Sequence, residues 1–496
     1  MKFKKPFIYA FCLLTAASPA CTDDFMDLAQ NPNASEFALP QTLLAPAITD
    51  VLKKNMNRAQ RINNELMQDH INMGDVEGKI FRYDIRSSES TYMWNNWYIQ
   101  LANFKDVYKG GAERIRITAS DLAGNTYKGI GLICQVWVTS LITDMYGDAP
   151  YSEASLGKDR LFLPKFDTQR DIYVDMFQKL EEANTLLTTA PNLPAAETSA
   201  DPVYGGVAAN WRKLGNSMYL RLLLRLSNKT SEPMVNDKTV VEKFKEIAET
   251  RAATYPIMTA NTDGARINWT GTAPYDNPFA TWRPADWYAV KYTQFFINNL
   301  KEWSDPRLPI WATISNGEFE GIPGGYPMNM NVTPRSQPVT TLASDNRLGN
   351  IMTYAETQFI LAEAATRGWI TTSAKTYYET GITSGITQWN ATVPTDYLTK
   401  EELAWDDALA LEDKLEKIHL QKYYALFYTD FQQWFEYRRT GHPVLPVGQG
   451  HENGGKMPAR MIYPIVLQST NKNNLDAAIA SQGPDDINTL VWWQRP

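Results

Sequence analysis

The chain has 496 residues, 44% of them hydrophobic and 21% charged, an ordinary globular composition that can build a sizeable core. Its formal charge is −7, and loss of the first twenty residues, which hold three lysines and no acid, takes it to −10. That balance excludes nucleic acid, which demands a basic footprint, and excludes adhesion to anionic lipid through a polybasic patch.

Lys2, Lys4 and Lys5 followed by the apolar run Phe7–Ala17 predict a signal peptide over residues 1–20, since the run is too short to span a bilayer and lacks a stop-transfer flank. Later apolar runs are broken by charge or glycine within a dozen or so residues. Cys12 lies in the leader, Cys21 directly follows it, and Cys134 lies in the apolar stretch "GLICQVWVTSLI". A scaffold held by disulfides would carry several pairs. Cys21 is therefore read as a lipid-attachment point, an acyl anchor that moors a water-soluble body to a membrane. Cys134 is read as a small buried hydrophobe.

Next come "SSESTYMWNNWY", which sets Tyr92, Trp94 and Trp97 beside Asn95 and Asn96, and "KGIGLICQVWVTSLITDMYG", apolar nearly all round as a central buried helix should be. "TQRDIYVDMFQKLEEANTLLTTA" opens with Thr168 and Asp171 at capping-box spacing, and "AANWRKLGNSMYLRLLLRLSN" carries a stripe of Trp211, Leu214, Met218, Leu222 and Leu226 with Arg221 and Arg225 off it. From about 255 to 338 the chain is rich in Gly, Pro, Asn and aromatics, and loops with short hairpins are expected. This region holds "PYDNPFATWRPADWY", with Tyr275, Trp282, Trp287 and Tyr288 beside Asn277, Arg283 and Asp286.

"TYAETQFILAEAATRG" and "SAKTYYETGITSGITQWN" then predict a helical hairpin. Thr353 and Glu356 sit at capping-box spacing, Gly368 ends the first helix, and Ala374, Tyr378 and Gly381 make a small-aromatic-small seam, the packing habit of tetratricopeptide repeats. One long helix is expected over "EKIHLQKYYALFYTDFQQWFEYRRTG". The fold class that results is mainly α, tetratricopeptide-like hairpins with an irregular loop-rich region.

No nucleophile elbow, zinc-protease pair, phosphate loop or dinucleotide fingerprint occurs in the sequence. His70, His419, His442 and His451 are scattered, and the spacing of His442, His451 and Glu452 fits no standard metal site, so a solvated loop is expected there and no metal, cofactor or catalytic residue is assigned. What remains is aromatic surface. Sugars present C–H faces that stack on Trp and Tyr, and hydroxyls that pair with Asn, Asp and Arg. The candidate ligand-binding residues are Tyr92, Trp94, Asn96, Tyr275, Asn277, Trp282, Arg283 and Trp287. For each, an anchor of a loop on the core is the competing reading, strongest for Trp97.

Several segments, in order, resemble the landmarks of SusD-like outer-membrane nutrient-binding lipoproteins, and most closely the starch-binding branch associating with the outer membrane. They are Cys21 followed by Thr22, Asp23 and Asp24, then "NPN", "DMYGDAPYSEA", "NWRKLGNSMYLRLLLRLSN", "SDPRL", "YAETQFILAEAA", and a tail closing on Trp492 and Trp493. The resemblance covers essentially the whole mature chain. It implies four tetratricopeptide-like hairpins in a single body over 21–496, with Asp144, Asp305 and Arg307 as turn and cap residues. It also implies a surface lipoprotein that captures oligosaccharide and passes it to a SusC-like TonB-dependent transporter, meeting the membrane through its lipid anchor only, with Asp23 and Asp24 similar to a surface-export signal. An oligopeptide ligand within the same transport class, and a glycoside hydrolase with paired carboxylates in an aromatic cleft, are the alternative readings.

Overall fold

Apolar residues at three- and four-residue spacing organise the chain into helices. The computed structural model describes residues 38–74 and 79–496; the leader, Cys21, Asp23 and Asp24 lie outside them. Eleven helices of nine residues or more occur among the described residues. In chain order α1 is Pro40–Arg61, α2 Ser88–Ile117, α3 Ala123–Tyr146, α4 Gln169–Thr189, α5 Ala208–Arg225 and α6 Gln294–Glu302. They are followed by α7 Tyr354–Thr366, α8 Ala374–Thr387, α9 Leu411–Ala425, α10 Gln432–Thr440 and α11 Lys472–Gln482. The consecutive pairs α2–α3, α4–α5 and α7–α8 pack as hairpins, α1 lies on α2, and α9 packs on α7 and α8. The fold is thus mainly helical and tetratricopeptide-like, as the spacing predicts.

Helix α3 is long and apolar enough to cross a membrane, yet its apolar window is wholly buried inside the protein; it is the axis of the core, and Cys134 sits within it without a disulfide partner. Small residues set the helix spacing. A Cβ on Gly124 would lie 2.4 Å from the carbonyl oxygen of Gly111, and one on Gly381 would meet the Phe359 ring at 2.8 Å, so α2–α3 and α7–α8 approach more closely than any side chain would allow.

Strands are few: four two-stranded pairings occur among the described residues. One of them, β1 (His70–Asn72) antiparallel to β2 (Val290–Tyr292), places His70 opposite Tyr292. It ties the loop-rich region to the segment just after α1.

The predicted helix through 416–441 is broken. It ends at Ala425, turns through Tyr428 and Asp430 at positive φ, and restarts at Gln432. The turn lets three successive aromatics reach different partners: Phe427 packs on Trp311, Tyr428 on Phe279 and Phe431 on Trp97. Asp430, a residue type that tolerates this conformation, accepts the Phe431 N–H itself and competes with the helical bond.

Capping departs from expectation in an informative way. Thr168 and Thr353 both cap, accepting the N–H of Asp171 and Glu356. The Glu356 carboxylate does not fold back on its own helix; it takes a bidentate guanidinium from Arg221 at 2.6 Å on each arm. Arg221 and Arg225, off the apolar stripe of α5, are buried rather than solvated. Arg225 pairs with Glu436, approaches Asp144 at 3.3 Å and donates to Gln432. Glu436 also receives Lys422 and Arg439, each at 2.7 Å, and Arg439 reaches Glu363 at 2.6 Å. Asp144, at the end of α3, accepts from Tyr173 and from the indole N–H of Trp493. Asp305 accepts the backbone N–H of Arg307 and its guanidinium, and Tyr397 closes that cluster.

Two outcomes test this core. Glu363→Gln takes from Arg439 one of its two carboxylates, leaving Glu436 to be shared with Arg225 and Lys422, and denaturant unfolding should show a loss of about 3 kcal/mol; a loss under about 1 kcal/mol contradicts the network's role. Burial raises the Asp430 carboxyl to about 7, against the favourable pull of Arg221, Gln432 and the Phe431 N–H and with Glu356 adding to the rise. The folded protein therefore holds a proton that the unfolded chain releases near 3.8, and stability falls as pH rises from about 4 to about 7. Asp430→Asn, equally suited to the backbone, should remove that component, so its stability relative to wild type improves as pH rises from about 4 to about 7; parallel pH profiles over that range contradict this.

Candidate functional site

Helix α1 separates core from solvent in its second half. Leu52, Asn55, Met56, Ala59 and Gln60 are buried, while Lys53, Lys54, Asn57, Arg58 and Arg61 emerge on the other face. Both aromatic stretches meet this polar face. Tyr92, in the first turns of α2, lies under the Arg58 guanidinium, 4.2 Å from its ring centre, with the Lys54 ammonium 5.6 Å away. From the loop-rich region Trp282 donates its indole N–H to Asn57 at 3.3 Å, and Asp276, beside Tyr275, pairs with Lys53 at 2.6 Å. The adjacent residues Asn57 and Arg58 therefore hold Trp282 and Tyr92 to one helix, although the rings lie 190 positions apart in sequence.

The eight predicted residues divide by direction. Tyr92, Asn96, Tyr275 and Trp282 are partly exposed and Arg283 is exposed. Asn96 spends its amide on the Tyr92 carbonyl one turn back, at 2.7 Å, and Arg283 forms a bidentate exposed pair with Asp286. Trp94, Asn277 and Trp287 point inward. Residues 88–117 are helical throughout, and Met93, Trp94, Trp97, Leu101 and Phe104 form its inner stripe. Trp94 is only 6% exposed and packs on Tyr98 and Tyr146; Trp97 is an anchor, with its N–H on Asn55. Asn277 caps a short turn by accepting from Phe279 and donates to the Asp345 carbonyl. Trp287 is buried against Phe279 and Trp282, which makes it the support on which Trp282 rests.

The α1 residues Asn57, Arg58, Lys53 and Lys54 are the contributors that sequence reasoning missed. Their signal was the unbroken polar stripe of "KKNMNRAQR" at helical spacing. Asp276 pairs with Lys53, whose hydrogen bond holds its carboxyl below the usual range, Glu89 pairs with Arg58 and Arg61, and Asp50 accepts from Gln100. The face offers stacking rings and hydrogen-bonding groups for a neutral polyhydroxylated ligand.

The histidines are not in a solvated loop. His442 is held between Glu416 at 2.7 Å and Glu412 at 3.1 Å, contacts that raise its pKa, and His451 stacks on Tyr83 with ring centres 4.3 Å apart. Glu363, His419 and Glu436 place potential metal-ligating atoms within 4.8 Å of one another. Arg439 and Lys422 already occupy those carboxylates, so the cluster is a junction of the buried ion network.

Among curated proteins none matches the sequence. Solved structures match over nearly their whole length. A chitin-binding protein is 25% identical with a TM-score of 0.76, covering 92% of this chain and 99% of that one. A SusD homologue from Bacteroides fragilis is 26% identical with a TM-score of 0.75 and the same coverage. A chitin-binding SusD homologue from Flavobacterium johnsoniae, 21% identical, shares the fold at a TM-score of 0.76, covering 92% and 98%. The family profile described as SusD-like, starch-binding and associating with the outer membrane, matches residues 32–464. The chain therefore belongs to the SusD-like family of outer-membrane-associated nutrient-binding proteins.

Proposed function

We propose that the protein is a cell-surface receptor, tethered through lipidated Cys21, that holds oligosaccharides against the Tyr92–Trp282 face and passes them unchanged to a partner TonB-dependent transporter. The observation that carries this reading is the meeting of Tyr92 and Trp282, from two distant segments, on the polar face of α1. Family membership and the chitin-binding description of a similar solved protein support a glycan ligand. Tyr275, Asn96 and Arg283, exposed at least in part and close to these rings in sequence, extend the face in this reading, while Trp94, Asn277 and Trp287 are buried. Each ring supplies a modest stacking contribution, and a repeating ligand that engages several points gains through effective concentration. In this reading the sugar is captured without hydrolysis, which family membership supports.

Calorimetric titration with chito- and malto-oligosaccharides tests the proposal. Tyr92→Ala and Trp282→Ala should each weaken binding about two- to tenfold, more than additively together, with the oligosaccharide recovered intact. Wild-type affinity in both variants, at unchanged melting temperature, contradicts it; affinity confined to peptides would transfer the site to the oligopeptide reading.

A further inference from the structure

A cavity of about 1120 Å³ lies among α2, α3, α4 and the loop 151–159, and none of the residues of the Tyr92–Trp282 face lines it. Its walls are charged. Lys105 and Lys109 project from one face of α2, Asp175, Lys179 and Glu182 from one face of α4, and Gln135 of α3 lies between.

The charges are not equally satisfied. Of the six acids in the lining, Asp175 is held by Tyr151 and Lys179, Asp167 by the backbone and hydroxyl of Ser152, and Glu182 by Tyr108. Asp171 engages Thr168 and Asp106 lies 3.9 Å from Lys109, which leaves Asp159, exposed. Lys105 is the opposite case. Its ammonium donates to the carbonyls of Ala154 and Tyr151, at 2.8 and 3.5 Å, and has no carboxylate within ion-pairing distance among the described residues. An ammonium carries three donors and seeks an anion when water is withdrawn. Asp159 and Lys158, both exposed at the edge of the lining, also have no ion pair among the described residues, so Lys105 is the partly buried charge of this cavity without a counter-ion.

We propose that this cavity is a second ligand site that takes a carboxylate, with Lys105 as its principal partner and Lys109 and Lys179 beside it. The volume admits several monomer units, and Gln135 supplies a neutral partner. Two kinds of oligomer carry such a group, an acidic sugar with its uronate and a short peptide with its C-terminus. The site stands independently of the Tyr92–Trp282 face. Burial first, then the proximity of Lys179 and Lys109, lowers the Lys105 pKa to about 8, with Asp175 and Asp167 opposing, so affinity should decline as pH rises toward 9 and the ammonium loses its proton.

Titration with trigalacturonic acid and its methyl ester, and with trialanine and its C-terminal amide, distinguishes the sources. One free acid should bind about tenfold or more tightly than its neutral counterpart, Lys105→Met should abolish that difference, and Lys105→Arg should retain it. Lys109→Gln, at an exposed position, should weaken the acid about two- to fivefold and serves if Lys105→Met fails to fold. Equal binding of acid and neutral forms, or no binding of either acid by the folded wild-type protein up to about 10 mM, overturns the proposal.

Discussion

The buried ion network is the constraint on which the rest of the structure depends. Arg225, Lys422 and Arg439 face Asp144, Glu363 and Glu436, three cations against three anions, and together they link α3, α5, α7, α9 and α10. His419, with its pKa lowered by burial, sits among them against Glu363. Apolar packing tolerates sliding of one helix past another, whereas a desolvated charge tolerates only the register in which its partner is present. The hairpins of this repeat-like fold are accordingly locked into one arrangement, and the C-terminal Trp493, bonded to Asp144, is locked with them.

That rigidity explains how loop aromatics become a surface with a defined shape. Trp282 leans on Phe279 and Trp287, and Phe279 leans on Tyr428 at the turn between α9 and α10. Tyr92 is set by α2, whose inner stripe includes Trp97 against Phe431 in that same turn. The broken helix is thus the shared footing of both rings. Loops carry recognition best when a stiff scaffold sets their position, and here the connection runs from buried charge, through a turn at Tyr428 and Asp430, to the rings at the surface.

Much of the helical scaffold was legible in the sequence, because amphipathic period and capping residues are local signals. The hairpin over 353–387 and the buried helix around Cys134 were read from spacing alone. What sequence reasoning missed depends on partners distant in the chain. Arg221 and Arg225 look like solvated positions until Glu356 and Glu436 are brought to them. Trp94 looks like a surface ring between polar neighbours, yet one step along the helix turns Asn95 outward and Trp94 inward. Trp282 was legible as a loop aromatic and Asn57 was not legible as its partner, since no local rule joins residues 225 positions apart.

The most direct measurement of the central claim is a crystal structure of the protein with a chito- or malto-oligosaccharide. The account predicts intact sugar rings against Trp282 and Tyr92, hydroxyls within hydrogen-bonding reach of Asn57 and Arg58, and the α1–α2 backbone unmoved. Sugar bound only away from α1, or found cleaved, would contradict it.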